Sequence, residues 1–236
     1  MVKGFIPTMG ALHAGHASLI TAAAKECDEV VVSVFVNPLQ FNDANDLAKY
    51  PRTPERDEEI ARAAGATEVW FPKYEEIYPA EIELISAGPV GDLYEGASRP
   101  GHFSGVLTVV QRLFDLVKPD RAYFGEKDFQ QLFLIKKYTK NVEIIGLPTI
   151  READGLAMSS RNVRLNPTER NAATIIHRGL MNGSLDFSSE PLFKKDYAVV
   201  IDEATFELAN ATTKQKRALV AGTIGEVRLI DNMVIA

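Results

Sequence analysis

Residues 30–36 are Val30, Val31, Val32, Ser33, Val34, Phe35 and Val36, an almost unbroken β-branched and aromatic run. A half-solvated strand would alternate apolar and polar residues; a run without that alternation marks a strand buried on both faces. Upstream lie the end of a short strand at 4–6, a glycine-containing turn at 7–15, and an Ala-rich segment at 18–27 that is helical by propensity. Strand, glycine loop, helix, strand predicts a parallel βαβ unit.

The alternation continues through residue 145. Residues 54–65 read as a helix, with Pro54 suited to the first turn and Gly65 to the end. A short strand is expected at 68–71. Apolar residues at 106, 109, 110, 113, 114 and 117 have helical spacing. Strands are expected at 122–124 and 142–145, with a helix at 129–138 between them. This pattern predicts an α/β fold with a doubly wound parallel sheet. From residue 166 the pattern changes. Asn166 can cap a helix, Pro167 fits its first position, and Glu169 can reach back to the cap. A polar, weakly patterned stretch at 182–196 follows, then strand-like segments at 197–201 and 226–230. The expected organisation is a doubly wound domain over 1–165 and a small C-terminal α+β domain over 166–236.

A chain of 236 residues has room for one such domain and a small appendage. Its formal net charge of −6 gives it no global electrostatic reason to hold nucleic acid. Cys27 is the only cysteine, so no internal disulfide can form, which fits a reducing compartment. No apolar run reaches the ~18 residues that a membrane helix needs. The segment before Pro7 is too short and too quickly broken for a signal peptide. The expectation is a cytoplasmic protein without membrane or nucleic-acid partners.

Three clusters carry chemistry. Between the first strand and first helix, Gly10 and Gly15 flank His13, and His16 follows three residues after His13. Ligands of open α/β sheets bind at strand carboxyl ends near helix N-termini, where backbone N–H groups favour an anion. Two imidazole donors there suit the phosphates of a nucleotide and the charge that moves onto a leaving pyrophosphate. Gly125-Glu126-Lys127-Asp128 follows the strand at 122–124 on the same rim; Lys127 offers a point charge for phosphate and Asp128 an acceptor for ribose hydroxyls. Met158-Ser159-Ser160-Arg161-Asn162 follows an Asp154-Gly155 turn; its hydroxyls and Arg161 form a compact oxyanion clamp near the domain boundary. His177 and Cys27 read as structural. His102 reads equally as a substrate contact or a helix-entry residue.

Taken together, the histidine-pair loop and the Ser/Arg clamp resemble the signatures of the nucleotidyltransferase superfamily. The wording is narrower. Pro7-Thr8-Met9-Gly10-Ala11-Leu12-His13, Phe35-Val36-Asn37-Pro38-Leu39-Gln40-Phe41, Tyr50-Pro51-Arg52-Thr53, the Glu95 to Phe103 segment ending Gly101-His102-Phe103, Gly125-Glu126-Lys127-Asp128-Phe129-Gln130-Gln131, the Asp154 to Asn162 segment and Arg228-Leu229-Ile230-Asp231-Asn232 resemble, in order along the chain, the pantoate–β-alanine ligase family. That resemblance implies a Rossmann-like domain that binds nucleotide and pantoate, and a C-terminal lid. It implies ATP-dependent joining of pantoate to β-alanine through a pantoyl-adenylate, with release of pyrophosphate and then AMP. It carries over Met9, Gly10, Ala11, Leu12, His13, Ala14, Gly15, His16, Gly125, Glu126, Lys127, Asp128, Ile150, Met158, Ser159, Ser160 and Arg161 as ATP-binding. Gln40, Gln131 and Met9 become the pantoate-binding residues. His16, His13, Lys127 and Arg161 become the catalytic set, with His16 as the proton-donating histidine. Mg²⁺ on the phosphates is expected, with Asp57 as a candidate ligand and no ligand set defined, and so is a homodimer. The family pattern also implies a helix before Pro7 and more helical material at 179–196 than this sequence carries.

Two other readings make different demands. An adenylyltransferase acting on a phosphate nucleophile would want an extra basic residue near Gln40, and the loop from Asn37 to Phe41 has none. An RNA-binding relic of a synthetase would want a basic face, and a catalytically dead one would have lost His16, Lys127 or Arg161.

Overall fold

A computed structural model describes residues 1–235. Its elements in chain order are β1 (Lys3–Thr8), α1 (Ala14–Glu26), β2 (Glu29–Val34), α2 (Ala44–Lys49), α3 (Pro54–Ala63), β3 (Glu68–Trp70), α4 (Tyr74–Ile77), α5 (Glu95–Ser98), α6 (His102–Val117), β4 (Arg121–Gly125), α7 (Phe129–Tyr138), β5 (Glu143–Leu147), α8 (Pro167–Ala172), α9 (Thr174–Met181), β6 (Phe193–Asp202), β7 (Lys216–Ile224) and β8 (Val227–Ile235). No helix among the described residues is long and apolar enough to cross a membrane.

The chain divides into two compact units, Met1–Gly125 with Gln130–Pro148, and Glu126–Phe129 with the chain from Thr149 onward. The first contains a five-stranded sheet in the order β3-β2-β1-β4-β5, parallel throughout. Alternate residues of one strand enter opposite cores. Phe5, Val31, Ala122 and Phe124 face one cluster, whereas Ile6, Val30, Val32 and Tyr123 face the other. That is the doubly wound sheet expected from residues 30–36. The strand order runs outward from β1 to β3, then restarts beside β1 with β4. Ligands of open α/β sheets bind outside the carboxyl ends of strands at such a reversal.

The second unit is a three-stranded antiparallel sheet, β6-β7-β8, with a core that includes Ile175, Ile176 and Leu180 of α9 against Phe193, Val220, Ile224 and Val227. The α8 start is the expected one: Asn166 accepts from the Glu169 amide, Glu169 accepts from the Asn166 amide, and Pro167 occupies the first turn.

Several details differ from the sequence expectations. α6 starts at His102 rather than near 106. Its first turn is buried because Gly105 lies against the Leu39 carbonyl, where any Cβ would collide. The helix α2 and the strand β7 were not expected, and β6 begins at Phe193, inside the stretch expected to be unpatterned. Residues 149–165 go with the C-terminal sheet because Arg151 forms a bidentate pair with Asp231 of β8, at 2.6 and 3.0 Å.

Candidate active site

In the first unit the loop after β1 is held by a buried carboxylate. Asp57 of α3 is 1% exposed and accepts from the backbone N–H groups of Ala11 at 3.0 Å and Leu12 at 2.7 Å, and from the Thr53 hydroxyl at 3.1 Å. Gly10 adopts φ +85°, and a Cβ there would sit 2.9 Å from Asp57 Oδ2. Only glycine meets both conditions without strain.

The helix start that follows is a capping box made of two histidines. His13 is the N-cap of α1, and its Nδ1 accepts from the Gly15 amide at 3.1 Å. His16, at the third helical position, accepts the His13 amide through Nδ1 at 3.3 Å. The rings lie 4.2 Å apart between centroids. An Nδ1 that accepts a hydrogen bond is unprotonated, so the proton of each neutral imidazole resides on Nε2. Both rings are thereby fixed as Nε2–H donors.

The Gly10 amide goes to Thr8 Oγ1, those of Ala11 and Leu12 to Asp57, those of His13 and Gly15 to the imidazoles, and that of His16 to the His13 carbonyl. Those six backbone N–H groups, which the sequence reading offered to an anion, are thus bonded within the protein. Asp57 is likewise unsuited to be a metal ligand, since both its oxygens accept from Ala11, Leu12 and Thr53. Ala14 is exposed beside this pair.

Gln40 lies next to the loop. Its Nε2 is 3.0 Å from Met9 Sδ, and its Oε1 accepts from Asn37 Nδ2 at 3.1 Å. Asn37 is 1% exposed; its side chain also donates to the Gly105 carbonyl at 3.1 Å and accepts from the Tyr78 hydroxyl at 3.0 Å and the Leu39 amide at 3.3 Å. Burial and the neighbouring Tyr74 push the Tyr78 phenol far above its ordinary value, so it stays a neutral donor. The Gln40 carbonyl is bound by His102 Nδ1 at 2.8 Å and by Arg99 Nη2 at 3.2 Å. His102 thus positions Gln40. On α7, Gln130 and Gln131 part company. Gln130 is buried and spends its amide on Val90, Leu93 and Glu95, while Gln131 is only half-buried.

Gly125 ends β4 in the first unit, and Glu126, Lys127 and Asp128, which form the turn after it, belong to the second. Lys127 Nζ is 3.6 Å from Asp128 Oδ1. The turn is bound to the C-terminal sheet. Asn232 Nδ2 donates to the carbonyls of Glu126 and Lys127 at 2.8 and 2.9 Å, and Arg217 Nη2 meets Glu126 Oε2 at 3.3 Å. Ile150 and Met158 are brought together, the Met158 amide donating to the Ile150 carbonyl at 3.0 Å, next to the bridge between Arg151 and Ala157. Ser159 then caps the short turn Ser160–Arg164 by accepting from the Arg161 amide at 3.3 Å. A hydroxyl used as a cap is less available to a ligand than the sequence motif alone implied; Ser160 and Arg161 follow it in the turn.

The family model for pantoate-β-alanine ligase matches residues 2–234. The chain belongs to this family. Among its relatives, the pantothenate synthetase of Thermus thermophilus is 44% identical over 255 residues, covering 98% of this chain and 92% of the relative. That of Phocaeicola vulgatus is 47% identical over 254 residues, covering 98% and 90%. A crystal structure of the Thermus thermophilus enzyme superposes with a TM-score of 0.92 at 44% identity, covering 99% of this chain and 93% of that one. A pantoate-β-alanine ligase from Francisella tularensis, solved in complex with β-γ ATP and β-alanine, gives 0.85 at 39% identity, covering 99% and 89%.

Membership in the ligase family leaves the supporting residues to the structure. Asp57, Asn37, His102, Arg217 and Asn232 hold the motif residues; Asn37, His102 and Asn232 stand in the family motifs without an anchoring role, Asp57 was read for another role, and Arg217 stood in no motif. A capping acid can be sought by looking for a buried carboxylate near a glycine turn. Here Asp57 sits 46 and 45 residues from the loop amides it holds, so no local pattern points to that role.

Proposed function

We propose that the chain joins pantoate to β-alanine in two steps driven by ATP, in keeping with its family. In the first, a carboxylate oxygen of pantoate attacks the α-phosphorus of ATP. The bond to the bridging oxygen of pyrophosphate breaks, and pantoyl-adenylate forms. In the second, the amine of β-alanine attacks the acyl carbon. An amide forms, AMP leaves, and the amine loses a proton.

The observation that carries this reading is the histidine capping box. Each Nδ1 is tied to backbone, so each ring presents an Nε2–H donor beside the end of β1. Fixed donors aimed where charge accumulates lower a barrier without reorganising during the reaction. His16 and His13 hold the triphosphate in this reading, and Lys127 adds a point charge that the departing pyrophosphate needs most. Gly125, Glu126 and Asp128 border the ribose side, and Ile150, Met158, Ser159, Ser160 and Arg161 close on the nucleotide. Arg161 supplies a forked donor to phosphate. Met9, Gln40 and Gln131 take pantoate; a neutral amide bonds a hydroxyl or carboxylate without charge repulsion. Mg²⁺ would enter on the triphosphate oxygens, a mode that suits its reluctance to shed water and needs no all-protein cage. Among the described residues no group of three or more His, Cys, Asp or Glu side chains is arranged to hold a metal. The reading includes a cytoplasmic homodimer.

The decisive assay follows pyrophosphate and AMP in the presence of Mg²⁺, ATP and pantoate, with and without β-alanine. The expected result is AMP release that requires both pantoate and β-alanine, falling by about 100-fold or more in His16→Ala, the scale for losing one transition-state donor. A folded protein that binds ATP and releases neither product would overturn the proposal.

A further inference from the structure

The turn carrying Lys127 is covalently part of the β4–α7 connection, yet its packing belongs to the C-terminal sheet. Its backbone is held by one side chain. Asn232 of β8 is 4% exposed and gives both Nδ2 hydrogens to the turn, one to the Glu126 carbonyl at 2.8 Å and one to the Lys127 carbonyl at 2.9 Å. An asparagine amide could point either way. Here Arg217 decides, because guanidinium has only donors, and its Nη1 meets Asn232 Oδ1 at 2.5 Å. The amide nitrogen is thereby forced toward the two carbonyls.

Arg217 is itself fixed on every side. It is 5% exposed, pairs through Nε with Glu203 and through Nη2 with Glu126, and lies over the Phe129 ring at 4.1 Å from its centroid. Phe129 in turn stacks on Phe206, which is 1% exposed. A buried arginine with two carboxylates, an aromatic face and an amide is over-determined for simple packing. Its contacts fall on Glu126 and Phe129, the residues bracketing Lys127 and Asp128.

We propose that Asn232 and Arg217 are positioning residues for Lys127: they fix the carbonyls and flanks of its turn, and so the direction of its ammonium group. This rests on the reading above in which Lys127 meets the triphosphate. The chemistry of the clamp makes the test sharp. Asn232→Asp keeps shape and the Arg217 partner but replaces two donor hydrogens with acceptors that face the carbonyls of Glu126 and Lys127. Asn232→Ala removes the clamp without adding charge.

Two measurements test it. Amide hydrogen exchange on the whole chain should speed up by about tenfold or more at residues 126–129 in Asn232→Ala, while β5 and α1 keep their protection. Exchange at 126–129 equal to wild type would overturn the proposal without reference to turnover. In steady-state assays Asn232→Asp and Asn232→Ala should each lower kcat/KM for ATP by about 10- to 100-fold, the scale of a small misplacement of a catalytic group. KM for β-alanine should stay within about twofold, because the ammonium acts on phosphate. In a Lys127→Ala background the same Asn232 changes should cost less than about threefold, since positioning a missing group has no value. Multiplicative losses in that background would overturn the positioning role and leave the ligase reading standing. Lys127→Ala with wild-type kcat/KM for ATP would sink the phosphate role of Lys127, and the clamp's purpose with it.

Discussion

The two units hold their candidate ligand loops with opposite chemistry. In the first, a buried acceptor takes backbone N–H groups: Asp57 binds the amides of Ala11 and Leu12. In the second, a buried donor takes backbone carbonyls: Asn232 binds those of Glu126 and Lys127. Both arrangements spend the main chain on shape and leave ligand chemistry to side chains. The contrast lies in what a failed anchor leaves behind. Removing Asp57 strands two amide hydrogens, one of them on a buried residue; removing Asn232 strands two carbonyls of half-buried residues, which accept water more readily, and one Nη1 donor of buried Arg217, which keeps Glu203 and Glu126 as partners.

The comparison can be broken at its strong end first. Asp57→Ala should destabilise the fold by about 3 kcal/mol, the cost of orphaned buried groups that had a charged partner. Urea unfolding measures it, and a loss under about 1 kcal/mol would mean the loop finds other acceptors. By the same contrast Asn232→Ala should unfold more readily than wild type by only about half as much, with its main effect on kinetics.

The histidine box offers a smaller and sharper test. His13→Ala removes an N-cap and should cost about 1 kcal/mol, whereas His13→Asn retains a capping acceptor and should cost only a few tenths (~0.3 kcal/mol). Both lose the imidazole, so kcat/KM for ATP should fall equally in the two. Thermal unfolding beside the AMP assay separates the stabilities from the rates; a more active His13→Asn would show that the cap, rather than the ring, governs ATP use.

The smallest effect belongs to the C-terminal unit alone. His177 lies against Gly155, its Nδ1 is buried without a hydrogen-bond partner among the described residues, and burial holds its pKa below the ordinary 6.5. The unfolded chain then binds the proton first as pH falls. Stability from this group is fully present above 6.5 and declines as pH drops toward the folded value. Melting temperatures at about pH 7.5 and about pH 5.5 should differ less in His177→Gln than in wild type. An equal pH dependence in both would assign that window to other groups.

Much of this architecture was legible in the sequence, and unevenly so. The strand at 30–36 and the alternation after it defined the parallel sheet because burial on both faces leaves a local signature. Asn166, Pro167 and Glu169 announced α8 because caps are local too. β7 was not visible: Ala218, Ala221 and Gly222 are weak strand formers, and the strand is central, held by pairing to β6 and β8 rather than by propensity. The site divides along the same line. His13, His16 and Lys127 stand in local motifs. Their anchoring is not local: Asn232 belongs to the Arg228 to Asn232 motif, but the carbonyls it holds are 106 and 105 residues away. The motif names position 232, and the tertiary structure shows what its amide touches.

The double use of each imidazole bears on how this loop can change over time. At positions 13 and 16 one end of a planar ring must accept from the main chain while the other end donates outward. Asparagine can take the first task, but its donor and acceptor share one terminal group; lysine can take only the second. No single exchange among the ordinary amino acids keeps both, so a lineage has no gradual path away from histidine here. Any drift must first supply either a new helix cap or a new outward donor, and only then release the ring.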